Sequence, residues 1–164
     1  MKLSVLFPTL ICLSILACEN APFNLENNDQ GNYPEVDEAL WIYFERFEDE
    51  AASRGINIDL NEMGITGVIE NIQETNVAGT CQYGQHIAHV TVDLNYWQSS
   101  SSFTRELIVF HELGHCALSL GHNDNAFSNG ICESIMHSGL TNCRTAYNTQ
   151  NRNYYLDELF GFNQ

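Results

Sequence analysis

Early in the chain the apolar residues recur in helical steps. Within PEVDEALWIYFERFEDEAASRG, Val36, Leu40, Tyr43, Phe44 and Phe47 fall three and four residues apart with acids between them. That spacing lines one face of a 3.6-residue repeat and predicts an amphipathic helix of about 18 residues, opening near Pro34 and stopped at Gly55, with Glu45, Glu48, Asp49 and Glu50 on its solvated side. The period then changes to two. Ile56, Ile58 and Leu60 alternate with Asn57 and Asp59, and a β-rich run covers 65–72 after the Met63-Gly64 break, so both read as short strands. Residues 76–84 read as a loop leading into HIAHVTVDL, a strand with His86, Ala88, Val90, Val92 and Leu94 on one face. Helical periodicity returns over 103–120, with Ser102 as N-cap and Gly121 as stop. A last helix is expected over 145–160, with Tyr147, Tyr154, Tyr155, Leu159 and Phe160 as its apolar contacts.

The N-terminus has a different character. One positive charge precedes an apolar run that is short for a bilayer span and gives way to polar ENAPFNLENNDQGN, the arrangement of an export signal. Ile15-Leu16-Ala17-Cys18 resembles a bacterial lipoprotein processing box. The resemblance implies that residues 1–17 are a signal peptide and that Cys18 is lipidated, with 18–33 a polar tether and 34–164 the working domain. The expected location is a membrane-anchored lipoprotein at the outer membrane or cell surface, the alternative being ordinary secretion. Setting aside Cys12 and Cys18 leaves Cys81, Cys116, Cys132 and Cys143, an even number suited to two disulfides in an oxidising compartment. Of the three pairings, Cys132 with Cys143 closes a short loop and leaves Cys81 with Cys116. A four-cysteine zinc site is the competing reading, without any C-x-x-C spacing to support it. With 21 acidic residues against six basic ones the net charge is −15, which disfavours nucleic acid and anionic lipid as partners. A monomer is expected.

On the second long helix lies His111-Glu112-Leu113-Gly114-His115. Residues four apart share a helix face, so both imidazoles can reach one tetrahedral metal ion while Glu112 stands beside it to act on a water. A catalytic zinc site takes a third protein ligand and leaves the fourth position open. His122, just after Gly121, is the first candidate, the glycine's tolerance of positive φ letting the chain turn back; Asp124 and Glu133 are the alternatives. His89 and Asp93 raise a second metal pair, against the commoner reading of an ordinary strand histidine. His137 reads as a wall residue near the site.

Twelve residues past His122 begins Ser134-Ile135-Met136-His137, with Met136 fourteen residues past it. HELGHCALSLGH followed by Ser-Ile-Met resembles the metzincin clan of zinc endopeptidases, close to the matrixin branch and to small exported bacterial peptidases. The resemblance implies a compact α+β, metzincin-like zincin domain with a small twisted sheet, an active-site helix, a methionine turn and a C-terminal helix. It implies Zn2+ on His111, His115 and His122, Glu112 as general base, and Met136 supporting the histidines without ligating. The chain departs from the usual spacing: Leu118 and Gly121 stand where the family's glycine and third ligand fall, so His122 comes one residue late. Ser138 stands where some relatives carry a metal-reaching tyrosine. The expectation is a zinc endopeptidase acting on a peptide or protein, which pairs in extended form with the strand around 86–94. The alternatives are a tethered, non-catalytic metal-binding or interaction module, and zinc-dependent hydrolysis of a non-peptide amide.

Overall fold

The computed structural model describes residues 33–85, 87–139 and 144–161. The expected signal peptide, Cys18 and residues 19–32 of the tether lie outside the described residues, as do His86 and Cys143. The elements run α1 (Glu38–Ser53), β1 (Thr66–Glu70), β2 (Gly79–Gly84), β3 (Ile87–Asp93), α2 (Leu94–Ser99), α3 (Ser102–Cys116) and α4 (Arg152–Leu159), a mixed α+β arrangement around one small sheet. No helix among the described residues is long and apolar enough to cross a membrane.

The helical stripe of α1 buries as its spacing dictates. Leu40, Phe44 and Phe47 are wholly buried, each contributing roughly 1.5–3 kcal/mol by leaving water. Phe47 meets Phe110 of α3 edge to face at 5.1 Å, which seats α1 against the helix that carries the histidines. The core also extends upstream: Tyr33 is buried and its hydroxyl donates to Glu48 at 2.6 Å. The folded domain therefore includes the last residue of the expected tether.

The sheet has the order β1-β3-β2, with β3 parallel to β1 and antiparallel to β2. This corrects the expectation that the strand around 86–94 offers an edge to substrate, because β3 is hydrogen-bonded on both sides. Residues 79–84, expected as loop, form the outer strand β2; their flanking glycines and exposed tip hide any alternation. Residues 56–60 form no strand. Their backbone has no ladder partner, and the Leu60 N–H donates instead to the Glu48 carboxylate at 2.6 Å. α2 is unexpected, and its cause is the Asp93 side chain, which accepts the N–H groups of Asn95 and Tyr96.

α3 is capped by Ser101, whose side chain accepts the Thr104 N–H, rather than by Ser102, and it ends at Cys116 rather than continuing to Leu120. The expected C-terminal helix is shorter, Arg152–Leu159; Tyr147 lies before it and is buried, and Tyr154 is exposed. A polar cluster joins these helices. Buried Glu106 of α3 accepts from the Tyr147 hydroxyl and from Arg152 Nε, each at 2.6 Å, and Arg152 also donates to Glu50 of α1. Every charge in that cluster is paired, the condition for burying one.

Candidate metal centre

His111 and His115 stand one turn apart on α3, and a short loop returns His122 to them. Ala117 caps the helix, and Ser119 takes the left-handed conformation, φ 56°, that was expected of Gly121. The Leu120 N–H then donates to the Gly114 carbonyl at 3.0 Å, and the Asn123 N–H to the Met136 carbonyl at 2.9 Å. The loop is thus fixed to α3 on one side and to the turn at Ile135 and Met136 on the other.

Each of the two α3 histidines is oriented through its Nδ1. His111 Nδ1 bonds the Ile135 carbonyl at 2.8 Å, and His115 Nδ1 bonds the Leu120 carbonyl at 2.7 Å. A carbonyl only accepts, so each Nδ1 carries the proton and each Nε2 presents a lone pair. His115 Nε2 lies 3.2 Å from His111 Nε2 and 3.2 Å from His122 Nε2. Lone pairs facing one another do not attract. Nitrogens bound at about 2.0–2.1 Å to one tetrahedral ion stand roughly 3.3–3.4 Å apart, so the arrangement fits a shared metal ion. Burial holds His111 down to about 4, which keeps it neutral at pH 7, the form that ligates.

Among the described residues, His111, His115 and His122 are the one group of histidine, cysteine and acidic side chains converging closely enough to hold a metal. Asp124 is exposed and accepts the Ser138 N–H at 2.8 Å, which holds its carboxyl below the usual range, and Glu133 is outside the cluster. His137 lies 3.7 Å from Asp124 and is likewise not a member. The residues of the second metal pair are engaged elsewhere: His89 bonds Thr66 Oγ1, and Asp93 accepts the N–H groups of Asn95 and Tyr96 at the start of α2 and of Ile72 just after β1.

Glu112 and the three histidines line one cleft of about 550 Å³, walled by β2, Tyr96, Ile108 and Arg144. Glu112 is buried, and desolvation pushes its carboxyl up to about 8. Its side chain lies directly against Gly79 of β2, where an added methyl would stand 2.8 Å from Oε1 and 2.9 Å from Cγ. Only glycine admits so close an approach. The Cys81–Cys116 disulfide ties β2 to the end of α3, as the expected pairing has it, and excludes the four-cysteine metal site; Cys132 is disulfide-bonded as well. Met136 is buried, with its sulfur against Gly114 between the two helical histidines. Ser134 holds this turn, its hydroxyl accepting the Met136 N–H and donating to Glu158.

The motif made the histidines and Glu112 legible. Gly79, Tyr96 and Arg144 were not, because they come from segments far from it in sequence; Cys81, once paired with Cys116, was the available signal that 79–81 lies beside α3. No protein-family model matches the chain, and neither does any curated protein or solved structure.

Proposed function

We propose that the protein is an exported zinc-dependent endopeptidase of metzincin-like fold. The observation that carries this reading is the convergence of three imidazole Nε2 atoms, two of them fixed in the ligating tautomer, in the same cleft as an acid with no hydrogen-bond donor among the described residues. Imidazole donors in tetrahedral array suit zinc, which when bound there supplies a Lewis acid that polarises a peptide carbonyl and acidifies water. In its ionised form Glu112 takes the proton of the attacking water on a carboxylate oxygen and returns it to the leaving amine nitrogen. A pure binding site has no use for a carboxylate in that position. The outer edge of β2, which walls the cleft and pairs with no further strand among the described residues, replaces β3 as the strand that pairs with an extended substrate, adding main-chain hydrogen bonds without demanding a particular sequence. The disulfides agree with an oxidising compartment, and the lipoprotein-type N-terminal sequence supports a Cys18 anchor there.

The test is metal analysis of the purified protein beside cleavage of a mixed-sequence peptide library. One equivalent of zinc is expected, with cleavage abolished by a chelator and restored by zinc, and His111→Ala, His115→Ala and His122→Ala each lose metal while Asp124→Ala keeps it. Full zinc in His122→Ala together with loss in Asp124→Ala would overturn the ligand set.

A further inference from the structure

We propose that Arg144 and Tyr96 form an anion subsite in the cleft that selects substrates carrying a carboxylate close to the bond cut. This rests on the hydrolase reading above. In a chain with 21 acidic residues and six basic ones, a cation without a carboxylate partner is the exception. Arg46, Arg54 and Arg152 pair with Glu106, Glu50 and Asp157 in the helical packing, and Arg105 donates to the Trp97 carbonyl and stacks on that indole. Arg144 has no ion pair or hydrogen bond among the described residues. It is held over the Tyr96 ring, 5.4 Å from guanidinium carbon to centroid, and lines the same cleft as His111 and Glu112.

That placement has a chemical consequence. The cation–π contact holds the guanidinium at the Tyr96 ring, and a guanidinium offers in its own plane a fork of N–H groups from which a carboxylate accepts two parallel hydrogen bonds. Glu112, the one carboxylate among the described residues of the lining, lies buried against Gly79 and leaves the fork to an incoming ligand. Tyr96 is itself fixed by the Asp93 cap of α2, so the platform is in place before substrate arrives. A carboxylate reaches this position either as an Asp or Glu side chain or as the C-terminus of a peptide. Both present the same chemistry.

The experiment uses the full chain, zinc-loaded, and paired peptides amidated at the C-terminus that carry Glu or Gln at each of three positions on either side of the bond cut. A third series has a free C-terminal carboxylate and no acidic side chain. A charge-assisted hydrogen bond of this kind supports a preference of about tenfold or more in kcat/KM for the acidic member of one pair. Arg144→Gln should bring the ratio within about twofold of unity, Arg144→Lys should restore part of it, and Arg144→Glu should reverse it, with zinc content reporting that each variant folds. The series that shows the Arg144-dependent preference identifies the source of the carboxylate. A wild-type ratio near one in every series, or a preference that survives Arg144→Gln, would overturn the proposal. Binding of the same peptides to Glu112→Gln protein, read by fluorescence anisotropy, separates the two claims: if wild type cleaves nothing, the hydrolase reading fails, and the subsite stands or falls on whether acidic peptides bind about tenfold tighter in an Arg144-dependent way.

Discussion

Gly79→Ala adds one methyl group where β2 meets the Glu112 side chain. The new carbon would lie 2.8 Å from Oε1, 2.9 Å from Cγ and 3.1 Å from Cδ, where ordinary contact needs 3.4 Å or more. Strand β2 is tied to β3 by its ladder and to α3 by the Cys81–Cys116 disulfide, so the acid is the part that yields. A displacement approaching 1 Å in a proton-transfer group costs on the order of 10²-fold in rate. Overpacking at a buried contact costs about 1–3 kcal/mol of stability. The expected outcome is a fall in kcat of about 10²-fold at unchanged zinc content, with a lowered unfolding midpoint. The double-mutant cycle makes the assignment specific: in a Glu112→Ala background the atoms that clash are gone, so Gly79→Ala should cost no further activity and little stability. Full activity in Gly79→Ala, or stability losses that simply add across the cycle, would refute this account of the contact.

Three further outcomes are expected. Burial raises the Glu112 pKa to about 8 from 4.5, so in metal-free protein its contribution to stability is fully present below pH 4.5 and lost as pH rises to 8. At 1.36 kcal/mol per pH unit, chelator-treated Glu112→Gln should gain on wild type by about 3 kcal/mol between pH 4.5 and pH 7 in urea melts, and a constant difference would contradict the burial argument. Ser119→Gly should stabilise by about 1 kcal/mol by relieving the left-handed residue, while Gly121→Ala should change stability by less than about 0.5 kcal/mol, since its φ is not positive and nothing lies within 4 Å of an added methyl; thermal melts showing the reverse would relocate the turn. Arg152→Met removes a partner from buried Glu106 and should cost about 3 kcal/mol in the same melts, a cost below about 1 kcal/mol contradicting a buried network.

How much was legible in sequence follows from how local each signal is. The stripe from Leu40 to Phe47 buries as spaced, and His111, Glu112 and His115 converge because one helix fixes their relation. His122 was legible because it follows within a few residues, although the residue that turns the chain is Ser119 and not Gly121. Alternation misled at 56–60, where Ile56, Ile58 and Leu60 pack toward the core without any strand to pair with. It failed in the opposite direction at β2, whose strand character comes from pairing with β3 and not from its own side chains. α2 rests on a single side chain, Asp93, standing ahead of a polar stretch that otherwise reads as loop. The walls of the cleft depend on how β2, α2 and the segment at Arg144 come together, which no local pattern encodes.

The measurement that tests the central claim most directly is peptide hydrolysis by wild type and Glu112→Ala at matched zinc content. The account predicts one equivalent of zinc and a native fold in both, with the variant slower by ~10² to 10⁴-fold, the range of general acid–base catalysis. Equal rates in the two proteins would contradict the assigned proton transfer, and a folded, zinc-loaded wild type that cleaves no member of a mixed-sequence library would contradict the peptidase itself.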